Sequence, residues 1–397
     1  MSKKKISILL IGFAVLASVQ LIAQSKSPSA AQLAEDMATT IMHKWPDSLA
    51  HDPGKPAKWS YDLGVFFEGM ANIYERNHDP KYIQYMEHIM SLFINDDGTI
   101  ERYSMPSYNI DYVKNGSTLL FLYKQTGKKK YKLAASHLRE QLKTHPRTAE
   151  GGFWHKKVYP HQMWLDGIYM GQPFYVEWCA MFNEPHNFDD IAKQFITIAK
   201  HTTDPKTGLL YHGWDESKQQ AWANKETGTS PNFWGRAMGW YGIALVDVLD
   251  YFPKQHPQRP VLEKLLNNFA EAVAKVQSKE GLWYQVLDKQ TQKGNYPEAS
   301  ASNMFVYALA KGVRLKALPQ KYLAIAKAGF DGIRSKFLER DAEGYLHLNG
   351  TVQVSGLGGK PYRDGSYAYY LSEPVIQDDP KGMGAFIMAA NEIGIAR

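Results

Sequence analysis

Two aspartates stand where the chain has little evident use for a charge. Asp166 lies in "MWLDGIYMGQPFYVEW", residues 163–178, a stretch otherwise rich in Trp, Tyr, Met and Phe, and Asp111 lies in "YNIDYVKNG". Apolar surroundings disfavour the charged form of a carboxyl group, which lets it donate a proton near neutral pH. The plain alternative is helix capping, because Asp is among the preferred residues at a helix N-terminus. Two carboxyl groups sharing one partly apolar cleft push each other's proton affinities apart, and the pair then divides into an acid and a base.

Other residues could serve such a pair. "FWGRAMGWYG" supplies Trp234, Arg236 and Trp240, with positions 236 and 240 one helical turn apart and so on one face. A guanidinium beside indoles suits an anionic sugar, pairing with its carboxylate while the indoles stack on its C–H face; a core aromatic pair with a snorkelling Arg reads equally well. "LYHGWDES" adds His212 and Asp215, and "GGFWHKKVYPHQ" adds Trp154, His155, Lys156 and His161 just before Asp166. Most histidines of this kind are ordinary hydrogen-bonded surface groups. The sequence contains no H-E-x-x-H, phosphate loop or dinucleotide fingerprint. "NDDGTIE" lacks the ligand spacing of a calcium loop, and "SGLGGKPY" is glycine-rich without the helix a phosphate loop needs. Neither metal nor cofactor is expected.

These residues need elements to hold them. Glycine-centred strings recur at Gly98, Gly152, Gly208, Gly281 and Gly344, roughly 54 to 73 residues apart, room for two helices plus loops. Between them the apolar spacing is helical, predicting helices over 30–45, 62–77, 80–94, 111–126, 130–143, 166–182, 187–201, 234–251, 259–278, 298–314, 319–337 and 380–393. Every second helix, such as "DLGVFFEGMANIY" or "GRAMGWYGIALVDVL", is apolar on most faces and rich in Gly, the pattern of a buried helix. Their partners, such as "VLEKLLNNFAEAVAKVQ", are amphipathic. Six buried helices ringed by six amphipathic ones predict an all-α fold, an (α/α)6 barrel of six hairpins. All inner helices of such a barrel run the same way, so their N-terminal ends meet at one rim. That rim would carry Tyr61, Asp62, Asp111, Asp166, Trp234, Arg236, Ser300 to Asn303, and Asp379.

Composition narrows the setting. The first 23 residues run Lys3, Lys4, Lys5, an apolar stretch from Ile6 to Ile22, then Ala23, the order of a cleaved secretory signal, so residues 24–397 are expected to form one exported domain, periplasmic or secreted. No later stretch is long and apolar enough to span a bilayer. Losing those three lysines takes the formal charge from +6 to +3, too mild to suggest nucleic acid or an acidic membrane as partner. The lone Cys179 excludes an intrachain disulfide framework. Aromatics at 13% suit a sugar-binding cleft without proving one.

Several long strings in one order resemble a known family: "FWHKKVYPHQMWLDGIYMGQPF", "YHGWDES", "FWGRAMGWYGIALVDVL" and "DGSYAYYLSEPVIQDDPKGMGAFIMA". They are similar to the unsaturated rhamnogalacturonyl hydrolases of glycoside hydrolase family 105, relatives of the unsaturated glucuronyl hydrolases of family 88. The resemblance implies an (α/α)6 barrel, Asp166 as general acid/base and Asp111 as second active-site aspartate. It also implies a substrate pocket lined by His155, Lys156, Met170, His212, Trp234, Arg236, Trp240 and, on a looser match, Tyr61. The implied substrate is an oligosaccharide ending in a 4,5-unsaturated uronic acid. An inverting glycosidase on the same barrel, and a sugar-binding protein without catalysis, are the competing readings.

Overall fold

The computed structural model describes residues 28–49 and 56–396; the leader expected at residues 1–23 lies outside the described residues. The described chain forms α1 (Ala30–Lys44), α2 (Tyr61–Asn77), α3 (Lys81–Met90), α4 (Asn115–Thr126), α5 (Lys129–Thr144), α6 (Leu165–Met181), α7 (Phe188–Thr202), α8 (Gly235–Tyr251), α9 (Arg259–Lys275), α10 (Ala299–Arg314), α11 (Lys321–Lys336), α12 (Tyr367–Ser372) and α13 (Pro380–Ile395). Helices α2, α4, α6, α8, α10 and α13 pack side by side into a closed ring. The other long helices cover it, α3 on α2, α5 on α4, α7 on α6, α9 on α8, α11 on α10 and α1 on α13. All twelve expected helices are present and the architecture is the (α/α)6 barrel.

Glycine lets the ring close tightly. A side chain at Gly116 on α4 would collide with the Phe174 ring on α6, and one at Gly239 on α8 would meet Met304 of α10 at 2.7 Å. Gly384 on α13 lies against the backbone of Val65 on α2, where a Cβ would come within 2.8 Å of its carbonyl oxygen. These close approaches explain why the inner helices carry more glycine than helix propensity alone would allow.

The recurring glycine strings share one job. After each of α3, α5, α7, α9 and α11 the chain turns sharply at Gly98, Gly151, Gly208, Gly281 or Gly344, each with φ between 76° and 91°. Four of these glycines donate their N–H three residues back, Gly98 to Asn95 at 2.9 Å and Gly344 to Asp341 at 3.1 Å among them. That left-handed conformation is open to glycine at little steric cost. The turn sends the chain from the end of an outer helix towards the rim where the next inner helix begins.

Short antiparallel strands decorate that rim. β1 (Gln162–Trp164) pairs with β2 (Gly213–Asp215), β3 (Leu338–Arg340) with β4 (Leu346–Leu348), and β5 (Thr351–Val352) with β6 (Val375–Ile376). β1 runs directly into α6, so this small sheet fixes where Asp166 emerges.

Candidate active site

Asp166 is the second residue of α6 and does not cap it. The N-cap position is Trp164, which makes no side-chain capping bond. Asp111 likewise follows a cap rather than being one: Asn109 accepts its N–H at 3.1 Å at the start of a 3-10 turn, Ile110–Lys114, that leads into α4. The turn is tighter than the α-helix expected from residue 111.

Each carboxylate meets basic side chains. Asp111 Oδ2 lies 2.6 Å from Lys156 Nζ, and Oδ1 lies 3.6 Å from His155 Nε2. Burial works to lower the Lys156 pKa, but the Asp111 carboxylate outweighs it and holds that pKa above its usual value. The Asp111 charge is therefore paired with Lys156 rather than left to act on Asp166 alone. Asp166 Oδ2 lies 3.1 Å from His212 Nε2, close but without the alignment of a hydrogen bond. His212 Nδ1 is 2.8 Å from the hydroxyl of Tyr370 on α12. Burial holds the Tyr370 pKa well above its ordinary value, so its hydroxyl stays protonated, and its bond to Nδ1 fixes the His212 ring with Nε2 facing Asp166.

His155 lies between these two groups. It stacks on Trp164 with ring centroids 4.2 Å apart, and Trp164 stacks in turn on Tyr159 at 5.0 Å. Burial, followed by the Lys156 charge, depresses its pKa well below the usual histidine value, so it is neutral at working pH. Its Nδ1 is buried without a hydrogen-bond partner among the described residues. Tyr61 heads α2 and meets Trp240 edge-on at 6.4 Å. Burial, then the charges of Asp62, Asp111 and Asp379, raise its pKa, which leaves a neutral hydroxyl in the pocket. A cavity of about 260 Å³ opens beside Tyr61 and Asp111, with Ser60, Asn109 and Tyr112 in its walls. Met170, one turn along α6 from Asp166, is buried in the core.

Arg236 and the indoles need correcting. The Arg236 side chain is 1% exposed and committed to the protein: Nε donates to Ser300 Oγ at 2.7 Å, Nη1 to the Gln353 carbonyl at 3.3 Å, and Nη2 to the Val352 carbonyl and to Glu298 at 3.5 Å. It is not an open receptor for a substrate carboxylate but a clamp joining α8, α10 and β5. Trp234 is covered by His212 and Tyr370 and donates its N–H to Gln285 at 3.1 Å. Trp240 is stacked on Tyr169 at 4.6 Å. Both are walls behind the site rather than exposed faces.

Three residues escaped sequence reading. Glu298, which caps α10 and faces Arg236, sits 62 positions further along the chain. Trp164 reads as one more apolar residue of the strand. Tyr370 lies in the quoted tail string, whose cluster of three tyrosines was the available signal.

An (α/α)6 barrel with two aspartates, two buried histidines and stacked aromatics at the N-terminal rim of its inner helices defines a class of carbohydrate-cleaving enzymes. The chain belongs to Glycosyl Hydrolase Family 88, whose profile matches residues 33–394. It is 48% identical, with a TM-score of 0.87, to the solved structure of a family 105 glycoside hydrolase from C. acetobutylicum, covering 91% of this chain and 98% of that one. It is 30% identical over 304 residues to the unsaturated rhamnogalacturonyl hydrolase YesR of Bacillus subtilis, covering 73% of this chain and 83% of that protein. The unsaturated glucuronyl hydrolase of Bacillus sp. GL1 shares the fold, with a TM-score of 0.67 at 12% identity, covering 91% of this chain and 95% of that one. The protein is an unsaturated glycosyl hydrolase of families 88 and 105.

Proposed function

We propose that the protein releases a nonreducing-end 4,5-unsaturated uronic acid, galacturonyl in type and linked to rhamnose, from lyase-cleaved rhamnogalacturonan. The observation that carries the chemistry is Asp166, a carboxyl group at the mouth of an inner helix that caps nothing and faces an imidazole oriented by Tyr370. Acting as the general acid, Asp166 gives a proton to C4, and the π electrons of the C4=C5 bond form the new C4–H bond. The resulting positive charge is shared between C5 and the ring oxygen. Water adds at C5 and returns a proton to the Asp166 carboxylate. The C5 hemiketal then opens to a ketone, and the hemiacetal left at C1 collapses and releases the neighbouring sugar. One water is consumed and the acid is regenerated.

Lys156 holds Asp111 in place, while the neutral Tyr61 hydroxyl offers a hydrogen bond to a sugar hydroxyl. The resemblance to YesR supports the galacturonyl–rhamnose choice. Export through the N-terminal leader belongs to the same reading, since polymer fragments are generated outside the cytoplasm.

Purified protein should consume an unsaturated galacturonyl–rhamnose disaccharide, with loss of its conjugated ultraviolet absorbance, and leave the saturated disaccharide untouched. In heavy water the product should carry deuterium at C4. Cleavage of the saturated sugar, or a product without deuterium at C4, would replace this reading with direct attack on the glycosidic bond.

A further inference from the structure

The glycine-rich string at residues 355–365, without a role in the sequence reading, folds against the wall of the active site. Leu357 packs with Trp164, Trp222 and Ala223 in a small apolar cluster separate from the main core. Tyr362 accepts the Trp222 backbone N–H at 2.9 Å. Gly358 and Arg363 bridge the loop backbone, with bonds of 2.8 and 3.2 Å. The Arg363 side chain then lies back over its own loop, donating Nε to the Gly358 carbonyl at 2.9 Å. Its Nη2 donates to the Tyr159 hydroxyl at 3.0 Å and the Leu357 carbonyl at 3.3 Å. Glycine is what makes room: a side chain at Gly356 would collide with Nη1, and one at Gly359 would crowd Nη2 at 3.1 Å.

All three of these hydrogen bonds end on neutral oxygens, so the guanidinium charge has no counter-ion among them. The adjacent acid, Asp364, is turned to accept the Ser366 N–H at 2.9 Å. Nη1 makes no hydrogen bond among the described residues, and Arg363 is only partly buried. Its positive field reaches the site, opposing protonation of His155 and Lys156 and favouring ionisation of Tyr370. Tyr159, which Arg363 holds, is the outer ring of the stack that runs through Trp164 to His155. The inner end of the stack meets Asp111, and the outer end meets Arg363.

Position decides which part of a substrate Arg363 would meet. The reacting ring must reach Asp166, inside the rim, so the rest of the oligosaccharide extends outward. The loop residues Lys360, Pro361 and Tyr362 beside Arg363 are exposed. Resting on the exo-acting reading above, we infer that Arg363 is a specificity-determining residue that binds the carboxylate of an acidic sugar on the leaving side, beyond the scissile linkage. A planar fork with a free N–H and an unpaired charge is suited to a carboxylate.

Three unsaturated substrates separate the possibilities: the uronyl disaccharide, its extension by a neutral sugar, and its extension by a uronate. The wild-type protein should favour the acidic over the neutral extension by about tenfold in kcat/KM, expressed in KM. Arg363→Met should bring that ratio close to one, and Arg363→Lys should restore part of it. If Arg363→Met lowered kcat on all three alike and left the ratio intact, Arg363 would only position the ring stack and the inference would fail. Calorimetry with the Asp166→Asn protein reads the same preference without turnover. Equal affinity for the two extensions there would overturn the inference, whereas absent turnover of every substrate by wild type, with the affinity difference present, would sink the reaction and not the subsite.

Discussion

The barrel has two mouths, and both are lined with ionisable groups. At the N-terminal rim stand Asp111, Asp166, His155, His212 and Lys156. At the opposite end a larger cavity, about 340 Å³, is walled by Glu68, Glu177, Asp247, Asp250 and Lys311 among apolar side chains. Charge content alone does not tell them apart. What differs is how far each set is satisfied. At the lower mouth Lys114 reaches Glu68 at 2.5 Å, and Tyr169 donates to the same oxygen at 2.6 Å. Lys311 bridges Asp247 at 3.0 Å and Asp250 at 2.6 Å, and Tyr307 donates to Asp247 at 2.8 Å. Glu68 and Asp247 lean on one another, and burial together with the Glu68 charge keeps a proton on Asp247 while Glu68 stays ionised. At the upper mouth Asp166 Oδ2, His212 Nε2 and His155 Nδ1 are buried without hydrogen-bond partners among the described residues, whereas at the lower mouth Asp247 Oδ2 alone shares that condition, beside the Glu68 it leans on. Such groups are costly unless a ligand or water completes them. The lower network holds helices together; the upper one waits for something to bind.

The sharpest test of that contrast is Asp166→Asn. The amide keeps the shape but cannot act as acid or base, so kcat should fall by roughly 10² to 10⁴. The melting temperature should barely move, because Asp166 caps nothing. Near wild-type turnover of the double bond would reduce Asp166 to a bystander.

At the lower mouth the pattern should invert. Lys311→Met takes away the cation shared by the protonated Asp247 and the more exposed Asp250, leaving the buried Asp247 carboxyl short of a hydrogen-bond partner, which costs about 1–3 kcal/mol. Chemical denaturation should show that loss while the folded protein keeps its kcat. A Lys311→Met protein of full stability and poor activity would erase the distinction between the mouths. Arg236 is the instructive exception, an upper-mouth residue wired like a lower-mouth one. Arg236→Ala removes the cation facing Glu298, which is 0% exposed and would keep only neutral donors from Ser300, Ala301 and Val352, so this variant should lose about 3–5 kcal/mol.

That exception marks where sequence reading ran out. The barrel was legible because helical periodicity and the glycine turns are local signals, carried within each hairpin. The two aspartates and two histidines were legible because each precedes or begins an inner helix, and the barrel's topology brings those starts together. Helix ends were less so: α3 stops at Met90 and α9 at Lys275, short of the apolar pattern, because their last apolar residues serve the following turn. Arg236 misled because its partners are Glu298 and the Val352 and Gln353 carbonyls, groups contributed by distant loops that no spacing rule connects. Tyr370 was missed for the same reason, since its partner lies 158 positions earlier.

The smallest expected effect comes from Glu177, on the lower wall. Burial, only partly offset by the Ser117 hydrogen bond and the Lys114 charge, raises its pKa to about 7. An unfolded glutamate releases its proton near pH 4.3. Between those values the folded state binds more protons than the unfolded one, so Glu177 makes stability decline as pH rises, until the decline levels off above about 7. Glu177→Gln cannot ionise and removes that slope. Its melting temperature should therefore gain on wild type as pH rises from 5 to 8, by a few degrees, with kcat within about twofold throughout. Parallel stability profiles for the two proteins would mean that Glu177 is already ionised in the folded state, and a shifted pH–rate profile would tie the lower mouth to the chemistry of the upper one. A slope that vanishes in the variant while the rate profile stays in place is the result expected if the two mouths divide structure from catalysis.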